Sequence, residues 1–161
     1  MNFSGSDFRR VMGRFPTGIT VVTLKNKDNK YTAMTLNSFA SVSLSPPLIL
    51  FSIDKNSHNH DDFTDSDNFT INFLSQNQRS LSQLFSEPSK LIWDDIDYII
   101  GSNLCPIINN CISYIECKTQ HIYAGGDHSI IVCKVTAIQD LSDDKPLIFY
   151  KGKYNNIGKE L

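Results

Sequence analysis

The stretch "AMTLNSFASVSLSPPLIL", Ala33 to Leu50, is the part of the chain on which the fold turns. From Tyr31 to Ser43 the residues are β-branched, aromatic or small, the composition of strands on a pleated sheet. With "ITVVTLK" (Ile19 to Lys25) and the polar turn "NKDNK" before it, this segment predicts a hairpin. Pro46-Pro47 breaks the pattern, because proline has no N–H to give to a ladder. "LILFSI" (Leu48 to Ile53) then runs apolar without alternation, which predicts a strand covered on both faces. The same stretch carries the densest set of small polar groups in the chain: Thr35, Asn37, Ser38, Ser41, Ser43 and Ser45. Such a row can hold a phosphate and a polyol chain by hydrogen bonds. It can equally be the solvent face of a strand, and composition does not choose between the two.

Outward from that stretch the chain stays strand-rich. Upstream, "SGSDFRRVMGRFPTG" places Phe8, Val11, Met12 and Phe15 at helical spacing. Ser6 or Asp7 is positioned to cap a short amphipathic helix there and Pro16 to stop it. Downstream, Ser57 to Asn68 is polar and acidic around Phe63 and predicts a surface helix or loop. "FTINFL" (Phe69 to Leu74) reads as a strand. Ser75 is placed to cap a second helix whose stripe is Leu81, Leu84 and Phe85. Glu87 to Pro106 has no period and holds Trp93, the one tryptophan, an excursion that covers something. Ile112 to Tyr123, His128 to Ile138 and Pro146 to Tyr150 complete six to eight strands against two or three helices. Turns every dozen or so residues favour an antiparallel barrel or sandwich over a doubly wound sheet.

Composition excludes several classes of function. With 161 residues, 40% of them apolar, the chain fits one domain over residues 1–161. Seventeen acidic against 15 basic residues, with no basic run, make nucleic acid a poor partner. No segment approaches the roughly 18 consecutive apolar residues of a membrane span, so a cytoplasmic protein is expected. Cys105, Cys111, Cys117 and Cys133 form no CxxC pair and read as reduced core residues. A zinc site from these thiols with His121 or His128 is the alternative, at spacings that match no common ligand set. His58, His60, Asp61 and Asp62 read as a solvated helix start. No G-x-G-x-x-G or P-loop occurs.

"YAGGDHSIIVCKV" (Tyr123 to Val135) sets two glycines, an acid and an imidazole before a buried strand. It is either a tight turn that satisfies its own backbone or a loop lining a site.

Five segments together resemble the flavin reductase family, the small reductases that supply reduced flavin to two-component monooxygenases. "AMTLNSFASVSLSPPLIL" is similar to its G-x-T-x-(N/S)-S-F-x-S-V-S-x-x-P-P-L signature and "DKNSH" to its D-x-x-S-x motif. "INFLSQNQRSLSQLF" resembles V-N-x-L-S-x-x-Q-x-x-L-S-x-x-F, "GGDHSIIVCKV" the G-D-H strand, and "PLIFYKGKY" the closing P-L-(I/L)-x-Y-x-G-x-Y. They come in the family's order and span about residues 8 to 154. Ala33 and Cys133 stand where the family commonly has glycine, and Asn155 where it often has histidine.

The resemblance implies a mainly β protein with a few helices, an antiparallel FMN-binding split β-barrel, usually a homodimer. It implies NAD(P)H:flavin oxidoreductase activity: a hydride passes from NADH or NADPH to FMN or FAD, and a separate oxygenase component takes the reduced flavin. A flavin-binding or electron-transfer barrel without nicotinamide oxidation, or a barrel that has lost its ligand, is the rival reading. The flavin phosphate and ribityl chain are expected against Thr35, Leu36, Asn37, Ser38, Lys55 and Ser57. The backbone at Ser41, Val42, Ser43, Ser52, Ile53 and Asp54 is expected to face the ring. Gly125 and Gly126 would let backbone approach the rings. Asp127 would orient His128, the candidate catalytic residue, and Tyr154 would be a second cofactor contact. No metal is implied.

Overall fold

The structure, a computed structural model, describes residues 2–87 and 93–159. Its centre is a seven-stranded sheet in the order β3-β2-β6-β9-β10-β5-β4, antiparallel at every pairing. The strands are β2 (Thr20–Lys25), β3 (Tyr31–Leu36), β4 (Ala40–Leu44), β5 (Pro47–Asp54), β6 (Asn68–Phe73), β9 (Ser113–Gly125) and β10 (His128–Asp140). Three short strands, β1 (Thr17–Gly18), β11 (Ile148–Tyr150) and β12 (Lys153–Asn155), make a second sheet. A two-stranded ribbon joins β7 (Tyr98–Ile100) to β8 (Pro106–Ile108). Helices α1 (Gly5–Met12), α2 (His60–Asp65) and α3 (Arg79–Phe85) lie outside the strands.

The sheet order makes the sheet curl. Its two edges, β3 and β4, are consecutive in sequence and joined only by Asn37, Ser38 and Phe39. The chain from Leu36 to Ala40 can reach at most about 15 Å. Edges of a flat seven-stranded sheet would stand roughly 29 Å apart. The sheet therefore rolls until its edges meet, with no ladder between β3 and β4, which is a barrel split along one seam. The segment Tyr31 to Ser43, expected as one arm of a hairpin, is thus two strands on opposite edges. The rest of the expectation is corrected in the same way: twelve strands occur among the described residues rather than six to eight, since five are pieces of two or three residues too short to show a period.

Two apolar clusters hold the barrel. The first gathers Val22, Leu24, Ile49, Phe51, Ile53, Phe63, Phe69, Ile71 and Ile131 with Cys117 and Cys133. Phe51, Phe63 and Phe69 meet in mutual ring contacts with centroids 5.3–6.2 Å apart. The second, on the other side of β2, gathers Ile19, Val21, Ala33, Leu74, Phe85, Ile96, Ile108 and Leu147. β2, and β6 beside it, are thus buried on both faces. β5, expected in that role, buries Ile49, Phe51 and Ile53 but only half-buries Leu48, Leu50 and Ser52. The difference is what lies above: α3 and the 93–108 segment cover β2 and β3, and among the described residues no element covers the outer face of β5.

Asn72, fully buried, ties these layers together. Its Nδ2 donates to the Val21 carbonyl at 3.0 Å and its Oδ1 accepts from Ile108 N–H at 2.8 Å. The expected excursion from Glu87 to Pro106 falls partly on residues 88–92, outside the described residues. Its described part closes the second cluster: Trp93 packs edge-on against Tyr31 and Tyr98 and tilted against Phe85, and donates Nε1–H to the Tyr31 carbonyl at 2.8 Å. At the N-terminus the cap is Ser4 rather than Ser6 or Asp7. Ser4 Oγ accepts from Asp7 N–H while the Asp7 carboxylate accepts from Ser4 N–H. Ser75 caps a short 3-10 turn, Gln76–Gln78, that leads into α3. Among the described residues no helix is long and apolar enough to cross a membrane.

Candidate functional site

The link between the barrel edges lines a cleft of about 810 Å³, within the roughly 300–1,000 Å³ range of small-molecule sites. Asn37, Ser38 and Phe39 form its floor at the seam. α1 and the turn after it supply Phe8, Arg9, Met12, Gly13 and Phe15. Thr17, Phe149 and Gly152 of the small sheet, and His128 at the start of β10, complete it. Sequence separates Asn37 from His128 by half the chain, and the β5–β10 pairing brings them together.

Each wall has a local cause. Ser38 is fixed by its side chain: Oγ accepts from Ser52 N–H at 3.0 Å and donates to the Ser52 carbonyl at 2.9 Å, bridging the seam to β5. Asn37 Nδ2 donates to Thr17 Oγ1 at 3.3 Å, joining the small sheet to the same seam. Phe39 packs edge-on against Phe73, centroids 5.1 Å apart. The small sheet is anchored to the end of α1 by Lys151 N–H donating to the Gly13 carbonyl at 2.8 Å.

His128 stands where the β9–β10 hairpin closes, paired with Gly125 across β9 and with Asp54 across β5. The loop between is Gly126-Asp127, and Gly126 has φ +72°, a conformation that glycine adopts without strain. Gly125 has no room for a side chain, because a Cβ there would lie 2.9 Å from Ile130 Cγ1. Both glycines are accounted for by the turn and by packing against Ile130. His128 Nδ1 lies 2.8 Å from Asp127 Oδ1. That imidazole, in turn, holds the Asp127 carboxyl below the usual carboxylate range. An ionised carboxylate only accepts, so Nδ1 carries the proton and Nε2 is the ring nitrogen outside that bond.

The remaining expected residues are distributed more widely. Thr35 Oγ1 donates to the Ser82 carbonyl at 2.6 Å and so faces α3. Tyr154 O–H meets Ser82 Oγ at 3.1 Å, its ring under the Arg79 guanidinium and against Phe149. Lys55 sits beyond β5, its Nζ donating to the Gly126 carbonyl at 2.6 Å and its N–H to the Asp127 carbonyl at 2.9 Å. Asp54 accepts from Asn56 N–H, and Ser57 Oγ points at Met34 Sδ, 3.8 Å away. Leu36 is half-buried, Ser41 and Val42 are exposed on β4, Ser43 is half-buried, and the Ile53 side chain is wholly in the first core cluster. Of the expected residues, Asn37, Ser38 and His128 line the cleft itself.

Sequence reasoning missed Arg9, Phe39, Thr17, Phe149 and Gly152, and read Phe8, Met12 and Phe15 only as the apolar face of a short amphipathic helix. α1 buries none of its residues. Helical spacing reports an apolar face and not what covers it, so no signal separated a wall of a cleft from a core stripe. His60, read as solvated, is held by Ser129 Oγ at 3.0 Å from Nε2.

Other polar sites are less suited to chemistry. A cavity of about 500 Å³ lined by Lys25–Asn29, Asp61, Asp62, Asp65 and Asn103 is acidic, and its side chains pair internally, as in Lys27 with Asp65 at 2.9 Å. Among the described residues no three His, Cys, Asp or Glu side chains converge as metal ligands. The four cysteines are free and buried. Burial pushes the Cys105 and Cys111 thiols up to about 11. The Cys117 thiol is raised as well, first by its hydrogen bond to Cys133 and then by burial. Such thiols are poor nucleophiles and poor ligands.

Comparison with known proteins bears on this cleft. Residues 12–158 match the family described as flavin reductase like domain. A probable flavin reductase of Rhizobium meliloti is 38% identical over 138 residues, 86% of this chain; the chain spans 44% of that relative's length. The reductase subunit of a flavin-dependent monooxygenase of Rhodococcus jostii is 31% identical over 93% of this chain and 76% of its own length. Among solved structures, the NADH:FAD oxidoreductase of Streptomyces globisporus superposes with a TM-score of 0.90 at 30% identity, covering 100% of this chain and 94% of that one.

Proposed function

The chain belongs to the flavin reductase family, and on that premise we propose that it is a nicotinamide-dependent flavin reductase whose reaction takes place in the seam cleft. The observation that carries this reading is the convergence of Asn37, Ser38 and Phe39 with the imidazole of His128 around one cleft. The donor set fits a flavin. Phe39 and Phe149 offer apolar surface to an aromatic ring system, Asn37 and the seam backbone offer neutral hydrogen bonds to a polyol chain, and Arg9 offers a cation.

When both are bound, NADH or NADPH supplies a hydride to FMN or FAD, chemistry intrinsic to the two cofactors. The chain's own work is to position them and to exclude water. Ser38 keeps the seam rigid under the ring. His128, its Nδ1 held by Asp127, presents Nε2 as a hydrogen-bond partner to the polar edge of the nicotinamide. The residues that lie off the cleft lining, Thr35, Lys55, Ser57 and Tyr154, support it from behind: Lys55 ties the end of β5 to the hairpin that carries His128, and Tyr154 backs Phe149. No group of the protein takes up the hydride.

The active unit is a homodimer in this proposal. Val42, Leu44, Tyr123 and Ile138 are exposed on the strands around β5, Leu44 at 96%. An apolar surface of that extent supports association with a second copy. The reduced flavin passes to a separate oxygenase component, as the description of the Rhodococcus jostii relative supports, and the four free thiols suit a reducing cytoplasm. Mixing the purified protein with FMN or FAD and NADH or NADPH in air tests the reading. Flavin-dependent loss of nicotinamide absorbance is expected, and its absence with every pair would overturn the activity.

A further inference from the structure

The charge of the seam cleft is one-sided in a chain that is acidic overall. The protein carries 17 acidic and 15 basic side chains, yet among the described residues no carboxylate lines the cleft, and its one permanent cation is Arg9. The other basic residues nearby are committed elsewhere. Arg10 pairs with Asp7 at 2.9 Å. Arg14 lines a separate cavity with Ile148, Tyr150 and Asn155. Lys151 lies over the Tyr150 ring at 5.1 Å. Lys55, the cation expected from the sequence, is bonded to the Gly126 carbonyl and is not part of the lining. Arg9 has no ion-pair partner among the described residues.

From this geometry we infer that Arg9 is the residue that binds a phosphate group of a nucleotide held in the cleft, so that α1 is part of the binding site. A guanidinium suits that task, since its planar fork matches two phosphate oxygens at once. Arg9 lies on the last turn of α1 and lines the same cleft as Phe8, Met12, Asn37 and His128, so an anion held by its guanidinium shares the cleft with the apolar rings and the imidazole. The inference rests on the reading of the cleft as a nucleotide site, and it names phosphate as the group that the site selects. Two ligands bring that group: the flavin, through its terminal phosphate, and the nicotinamide dinucleotide, through its pyrophosphate.

Arg9→Gln keeps the helix propensity of an exposed position, and circular dichroism checks the fold. Titration of wild type and Arg9→Gln with FMN and with riboflavin, which lacks the phosphate, reads the flavin arm. A loss of roughly tenfold to a hundredfold for FMN with riboflavin unchanged is expected if Arg9 holds the flavin phosphate. A rise of similar size in the KM for NADH, with FMN preference intact, assigns the dinucleotide pyrophosphate instead. Calorimetric binding of inorganic pyrophosphate to the wild type, lost in Arg9→Gln and partly restored in Arg9→Lys, supports the inference without any turnover. It therefore stands even if the reductase reading fails. Unchanged pyrophosphate binding in Arg9→Gln, or equal losses for FMN and riboflavin, overturns it.

Discussion

Ser38 Oγ both accepts from the backbone N–H of Ser52, at 3.0 Å, and donates to the carbonyl of the same residue, at 2.9 Å. One hydroxyl thereby does for the open seam what a ladder does elsewhere in the sheet. The chain leaves edge strand β3, crosses to edge strand β4 in three residues, and is fastened to β5 on the way.

Replacing Ser38 by alanine removes both bonds and leaves the Ser52 N–H and carbonyl without those partners in a half-buried place. A loss of about 1–3 kcal/mol of stability is expected, together with weaker flavin binding, because the floor of the cleft loosens. Urea unfolding and a flavin titration measure the two effects. Full stability with intact affinity would show that the seam holds without this hydroxyl.

His128→Ala is expected to slow NADH oxidation more than it weakens flavin binding, since the proposal puts the imidazole on the nicotinamide side. Steady-state kinetics beside a direct flavin titration separate the two. Equal losses in both would move His128 to the flavin.

Asp127 acts through His128. Its carboxyl is held low by the imidazole hydrogen bond, so its folded value lies below the unfolded value of about 3.9. The contribution of the pair is present above that unfolded value and is lost as pH falls through the folded one. Between pH 5 and 8 the orienting bond is therefore constant. Asp127→Asn keeps an acceptor for Nδ1–H and should retain much of the turnover, whereas Asp127→Ala should lower kcat with the flavin affinity kept. A pH–rate profile whose acid limb near neutrality vanished in Asp127→Asn would contradict this assignment.

The two hairpin glycines differ in cause and so in remedy. Gly126→Ala places a Cβ at φ +72° with open space around it and should cost about 1 kcal/mol of backbone strain. Gly125→Ala drives a Cβ to 2.9 Å from Ile130 Cγ1 and 3.0 Å from Ile130 Cδ1. Adding Ile130→Val removes the Cδ1 contact and should recover part of that loss. Thermal unfolding of the singles and the double reads the coupling, and strict additivity would put the need for Gly125 somewhere other than Ile130.

Strand composition and turn spacing were enough to show an antiparallel β protein, and the order of five motifs was enough to show the family. The geometry of the site was less legible. Asn72 and Ser38 both belong to quoted motifs, but their bonds to Val21, Ile108 and Ser52 depend on which strands are neighbours, and pattern does not give strand order. The hydroxyl row illustrates the same limit. Thr35 turns to α3 and Ser38 to β5, because alternate residues on a strand face opposite ways and the seam interrupts the alternation between them. Phe8 and Met12 obeyed the helical period, yet the period carries no information about whether their face meets a core, a ligand or a second copy.

The location of the bound flavin tests the central claim most directly. A crystal structure of the protein grown with FMN or FAD should show the ring system at the seam, between the Asn37–Phe39 link and His128. Flavin bound instead in the acidic cavity beside Asp61 and Asp62, or anywhere off the seam in a protein that still oxidises NADH, would contradict it.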